Sequence, residues 1–301
     1  METAIKDTRT QKTTQVYRSK LIAGLPVKEH QIRTGKFTTT YLEGGEGTPL
    51  VLLHGPGEPS VWWMRVIPGL VKDFKVIVPD LPGHGRSGSP GKKFTREIFI
   101  AWLHDFIQYT CNTPPVLIGH VVGGSLAAHY AIQHGNIVRQ LILVDSLGLA
   151  PFRPAPRFAF EFLRFMVRSS KKNQLRLMDQ CMYDVDKLDT VMGEKWQDFL
   201  DYNLASANDP EKKSAAKKIM GILSGKIPEY QLKQLAVPVS LIWGRHDKAN
   251  SVKIAKKASE KYGWPLHIIE DSRDDPKLEQ PEAFVEAVQA ELRKIPTQEA
   301  N

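Results

Sequence analysis

Short apolar runs alternate with helically spaced apolar positions along most of this chain. Pro49–His54, Phe74–Asp80, Val116–His120, Val138–Asp145, Val237–Gly244 and Pro265–Glu270 lie between turn residues, and each reads as a strand buried on both faces. Ahead of them, Leu25–Gly35 and Phe37–Gly44 alternate polar with β-branched or aromatic residues and predict an antiparallel hairpin. Trp62, Trp63, Val66, Ile67 and Leu70 predict a helix, as do Ile98, Trp102 and Phe106, widened by Phe99 and Leu103, over Thr95–Thr110. A helix over Ser251–Tyr262 and a last one with Phe284, Val288 and Leu292 on its buried face complete the series. Strands and helices alternating at this spacing imply an α/β fold, a mostly parallel doubly wound sheet with helices on both faces.

The alternation stops at about Leu149 and resumes after about Lys233. No core-strand run falls between them, and Phe158, Phe162 and Phe165, with Met166, form an aromatic stripe at helical spacing behind Pro151, Pro154 and Pro156. The segment 149–233 therefore reads as a helical cap inserted into a core of residues 25–148 and 234–295, with a polar N-terminal arm over 1–24 and a tail over 296–301. Packing is the first expectation for the stripe and ligand lining the second. A membrane-facing helix beside Arg153, Arg157, Arg164 and Arg168 is the third.

Val116–Ser125 runs from an apolar strand through a glycine-flanked turn into a helix of small residues, a form that lifts one side chain above the end of a parallel sheet. That residue is Val121. Gly119, Gly123 and Gly124 leave room for close helix–strand packing.

Composition changes this picture little. Of 301 residues, 42% are hydrophobic and 25% charged, as in soluble globular proteins. The formal charge of +8 is spread along the sequence and no nucleic-acid motif accompanies it, so no nucleic-acid partner is expected. The polar N-terminus and the lack of a long apolar run point to a cytoplasmic protein without membrane contact. Cys111 and Cys181 read as buried free thiols. Neither a cofactor nor a metal is expected, and the oligomeric state is left open.

His54-Gly-Pro-Gly57, Pro79-Asp-Leu-Pro-Gly-His-Gly-Arg-Ser87, Gly119-His-Val-Val-Gly-Gly124, Leu241-Ile-Trp-Gly-Arg-His-Asp247 and Glu279-Gln-Pro-Glu-Ala-Phe284 together resemble the α/β-hydrolase superfamily, in that family's chain order. The resemblance covers roughly Leu25 to Arg293 outside the cap. It implies the α/β-hydrolase fold, with Val121 at the nucleophile position, Asp247 at the acid position and Asp274 at the histidine position. A branched hydrocarbon cannot attack carbon, and a carboxylate cannot relay a proton as imidazole does. The oxyanion hole would be formed around Pro56, Gly57 and Val122, but Pro56 has no N–H to donate.

Other readings stay open beside it. Ser125 is expected to make a local backbone bond, His120 to pack at the pocket rim, His246 to face solvent, and His54 and His84 to fix loop carbonyls. Asp274 and Asp275 are expected in a solvated turn, with Arg245 or Arg273 neutralising any buried acid; the sharper alternative is that Asp247 and Asp274 share a water-poor cavity as an acid/base pair. The leading expectation is a protein that binds a small, largely apolar ligand between core and cap without serine-hydrolase activity. The alternatives are a non-covalent lyase or isomerase acting on a small carbonyl compound through Asp247 and Asp274, and a hydrolase with a displaced histidine.

Overall fold

Eight strands pair in one sheet: β1 (Lys28–Thr34), β2 (Phe37–Gly44), β3 (Pro49–Leu53), β4 (Lys75–Pro79), β5 (Val116–His120), β6 (Gln140–Val144), β7 (Val239–Gly244) and β8 (Leu266–Ile269). In this computed structural model, residues 14–294 apart from 36 and 92 are described. The strand order is β1-β2-β4-β3-β5-β6-β7-β8. The hairpin β1–β2 is antiparallel and β2 pairs antiparallel with β4, while every pair from β4 to β8 is parallel. All five residues of β3, β5 and β6 are buried, which is why these runs carry no polar alternation.

One face of the sheet packs against α3 (Arg96–Thr110), α4 (Val122–His134) and α11 (Val252–Tyr262), whose Phe99, Trp102, Leu126 and Ala255 meet Leu53, Leu117 and Leu143. The other packs against α13 (Pro281–Arg293) and α2 (Ile67–Leu70), which bring Phe284, Val288 and Ile67 onto Leu52, Ile118 and Ile242. The helix expected across Trp62–Leu70 is divided into a 3-10 turn at Ser60–Trp63 and the four-residue α2. Pro68 and Gly69 allow only a short second piece.

Between β6 and β7 stand α5 (Pro156–Val167), α6 (Lys171–Cys181), α7 (Val185–Met192), α8 (Glu194–Asn208), α9 (Pro210–Leu223) and α10 (Glu229–Leu232). The Phe158, Phe162 and Phe165 stripe packs inward with Leu177, Met178, Trp196 and Phe199, and the same cluster takes in Trp62 and Leu278 of the core. It is packing first. The polar arm expected over 1–24 is in part a docked helix, α1, over residues 14–22: Leu21 is buried, and Arg18 is buried in ion pairs with Glu29 and Asp80. Residues 1–13 and the expected tail at 296–301 lie outside the described residues.

The turn after β5 depends on the absence of side chains. A Cβ at Gly119 would stand 2.4 Å from the Gly123 carbonyl oxygen, and one at Gly123 would stand 2.4 Å from that of Leu53. Both obstacles are backbone. Gly119→Ala must therefore push α4 off β5, and a loss of about 3 kcal/mol is expected in denaturant unfolding.

Candidate functional site

All parallel strands end on one edge, where ligands of open α/β sheets bind. Glu58 follows β3, His120 ends β5, Asp145 follows β6, Asp247 follows β7, and Asp274, Asp275 and Lys277 follow β8. Val121 stands at the tip between β5 and α4 with φ 51° and ψ −110°. Such backbone costs a β-branched residue on the order of 1–3 kcal/mol. Its N–H donates to the Val144 carbonyl at 3.1 Å, and its own carbonyl accepts from Leu147 at 3.1 Å, so the turn is tied to the end of β6. The N–H of Val122, in the first helical turn, has no intrahelical acceptor. Gly57 is exposed with φ 79° and follows Pro56, which has no N–H to donate.

Three carboxyls converge beyond the strand ends. Asp247 Oδ1 accepts the N–H groups of Ala249 and Asn250, each at 2.7 Å, and Asp145 Oδ1 accepts that of Gly244 at 3.0 Å. The two side chains lie within reach of each other, yet Oδ2 of each is buried and meets no donor from elsewhere. They satisfy one another only while one keeps its proton. Asp274 adds a third buried oxygen without a donor, Oδ1.

Burial, only partly offset by the Asn250 and Ala249 N–H groups, pushes the Asp247 carboxyl up to about 7. Burial and then the negative charge of Asp247 hold Asp145 and Asp274 well above the usual carboxylate range. Neither arginine neutralises this cluster, contrary to the solvated-turn expectation. Arg245 pairs with Glu270 outside it, and Arg273 donates to the carbonyls of Asp179 and Met182.

A second cluster supports the first. His120 Nε2 stands 2.6 Å from the Asp274 carbonyl, which can only accept, so this nitrogen carries a proton. His120 Nδ1 stands 3.0 Å from Glu58 Oε2 and 3.1 Å from Lys277 Nζ. Lys277 is completely buried, pairs with Asp275, lies 3.6 Å from Glu58 Oε2 and sits over the rings of Trp62 and Trp63. Burial alone would raise the Glu58 pKa, but the Lys277 ammonium and His120 hold it well below the usual range. Ligand atoms of Glu58, His120 and Asp275 come within 4.8 Å of one another, a spacing that suits a metal ion. The ammonium of Lys277 already supplies the positive charge at that point. Asp275 is thus a buried partner of Lys277 rather than part of a solvated turn, and His120 is the link between the two clusters rather than a packing residue.

The cap closes over this edge through backbone contacts. Asp274 N–H donates to the Cys181 carbonyl at 3.3 Å, and Tyr183 N–H donates to the Glu279 carboxylate. Ser125 is buried, and its hydroxyl has no partner instead of the expected local bond. His246 is exposed and stacks on Tyr183 at 4.9 Å, as expected. His54 also does what its sequence context implies: Nδ1 meets the Gly55 carbonyl at 2.8 Å and Nε2 accepts the Leu81 N–H at 2.9 Å. His84 Nδ1 lies 3.3 Å from the Pro82 carbonyl. A cleft of about 860 Å3 opens elsewhere, lined by Arg18, Arg86, Tyr202 and Lys212, and includes none of the strand-end carboxyls. The buried free carboxyl oxygens therefore mark the site better than cleft size does.

Sequence reasoning located Val121, Asp247 and Asp274 but missed Glu58, Asp145 and Lys277. Asp145 carried a legible signal, an acid ending an apolar run as Asp247 nearly does.

The family described as alpha/beta hydrolase fold matches residues 48–272. A 2-hydroxy-6-oxo-6-(2'-aminophenyl)hexa-2,4-dienoic acid hydrolase of Metapseudomonas resinovorans is 27% identical over 258 residues, 81% of each chain. A pimeloyl-[acyl-carrier protein] methyl ester esterase of Vibrio atlanticus is 26% identical over 70% of this chain and 81% of its own. Among solved structures, a carboxylesterase of Bacillus subtilis superposes with a TM-score of 0.80 at 18% identity, covering 96% of this chain and 99% of the other. With the strand order, the glycine-lined turn and the inserted helices, these likenesses establish that the chain belongs to the α/β-hydrolase fold family.

Proposed function

We propose that this protein acts on a small, largely apolar carbonyl compound by proton transfer at the strand ends, without a covalent intermediate. The observation that carries this reading is the group of Asp145, Asp247 and Asp274, whose free oxygens are buried with no cation paired to them among the described residues. A carboxyl near 7 beside neutral carboxyls gives a base and an acid at the same pH, the condition under which general acid–base catalysis is most effective. Val121 has no lone pair, so ester cleavage through an acyl-enzyme has no atom to start from. The Val122 N–H supplies one polarising contact to a carbonyl oxygen. The oxo-dienoic acid named for a relative is a dienol conjugated to a ketone, in which loss of the hydroxyl proton and uptake of a proton at the carbon next to that ketone is a transfer of this kind.

A second reading, binding of such a compound without turnover, is favoured by Pro56, which has no N–H to offer a developing oxyanion. One experiment separates the two. With 2-hydroxy-6-oxo-6-(2'-aminophenyl)hexa-2,4-dienoic acid as probe in D2O, the proton-transfer reading expects deuterium at carbon adjacent to the ketone, slowed about 100-fold or more in Asp274→Asn. Saturable binding with no exchange above the buffer rate would replace it with the binding reading.

A further inference from the structure

The outer face of α5 is apolar as well as its inner one. Phe160, Leu163 and Val167 fall at i, i+3 and i+7 on the side opposite Phe158, Phe162 and Phe165, and they are 56%, 63% and 77% exposed. Leu175 on the neighbouring α6 adds to them, so this hairpin holds four of the nine large hydrophobics exposed among the described residues. Arg157, Arg164 and Arg168 run along one flank of the stripe, and Arg164 lies over the Phe160 ring at 4.4 Å.

The charge spread expected from the sequence is in fact uneven. Residues 153–176 hold seven arginines and lysines against one acid, Glu161, and so account for six of the chain's formal +8. Glu161 is itself tied to Arg164. An apolar stripe bordered by arginine is the pattern of a helix lying in the plane of an anionic lipid surface, the rings and aliphatic side chains entering the acyl boundary while guanidinium groups reach back to phosphates.

We infer that the α5–α6 face docks on an anionic bilayer. A protein partner fits less well, because four exposed apolar side chains are far fewer than the roughly 20–30 residues a side of a stable complex, whereas a bilayer has no shape to match. The attraction would also come from lipid headgroups that concentrate negative charge, as this face concentrates positive charge. No helix among the described residues is long and apolar enough to cross a membrane, so the contact is peripheral. This inference is independent of which reaction, if any, the carboxyls carry out.

The test is co-sedimentation of the full chain with vesicles of phosphatidylcholine alone or with about 30 mol% phosphatidylserine. Uptake is expected only with phosphatidylserine and is expected to fall in about 0.5 M NaCl, where the screening length is short. Phe160→Glu and Leu163→Glu should each weaken it about tenfold, while Tyr109→Glu, at an equally exposed position on α3, should leave it unchanged. Circular dichroism of each variant shows that the fold is kept. No uptake, equal uptake by both vesicles, or uptake undiminished in Phe160→Glu and Leu163→Glu would overturn the inference. Binding to soluble polyglutamate without vesicle uptake would do so too, and would point to an acidic protein instead.

Discussion

Lys277→Met should lower the melting temperature by roughly 10 °C at pH 7, corresponding to about 3–5 kcal/mol lost when one partner of a buried ion cluster is removed. The substitution keeps most of the aliphatic stem but removes the ammonium that lies over Trp62 and Trp63, and it leaves Glu58 and Asp275 facing each other across a buried gap. The pH dependence makes this specific. In the native protein Glu58 is held below its ordinary value, so its contribution is present above about pH 4.5 and is lost only as the pH falls through its lower folded value. In the variant the Lys277 charge is gone and only the histidines oppose burial, so Glu58 and Asp275 take up protons on mild acidification and the deficit shrinks between pH 7 and 4.5. Differential scanning calorimetry across that range measures it. A deficit independent of pH would mean that lost packing, not charge, is responsible.

Asp247→Asn should have the opposite sign at alkaline pH. A carboxyl raised to about 7 in the folded chain keeps its proton where the unfolded chain has already released its own. Native stability therefore falls as the pH rises from the ordinary carboxylate value toward 7 and levels off above it. Asparagine cannot ionise, and its oxygen can still accept from Ala249 and Asn250 while its amide can donate to Asp145. The variant should match the native protein near pH 4 and exceed it at pH 8 by on the order of 2–4 kcal/mol. Urea unfolding at the two pH values reads this directly. A variant less stable than the native chain at pH 8 would show that Asp247 is buried as a well-compensated carboxylate.

Most of the fold was legible because it rests on local patterns. Strands such as β3, β5 and β6 are buried on both faces and show as unbroken apolar runs, and the β5 turn shows as glycines that backbone contacts require. The division of Trp62–Leu70 was less visible, since the period of apolar positions continues across Pro68. In the site, Val121, Asp247 and Asp274 could be read because strand ends and turns fix their places. Glu58 and Lys277 could not. A charged residue among turn residues looks the same in sequence whether it is solvated or buried, and these two are buried only because segments more than 200 residues apart fold onto each other. The same difficulty placed Asp275 in water and left Asp145 as only the end of a strand.

Charge on the cap was obscured differently. The basic residues of α5 and α6 are spaced by apolar ones, so no run of like charge appears, and only the helical hairpin gathers them on one side.

The proton-transfer account depends on carboxyls that hold protons at neutral pH. Titration of the aspartate side-chain carbons by 13C NMR, in the native chain and in Asp247→Asn, measures this most directly. At least one resonance with a midpoint near pH 7, absent from the variant, is the predicted result. If every aspartate has finished titrating by about pH 5, the strand-end carboxyls are ordinary anions and the account is contradicted.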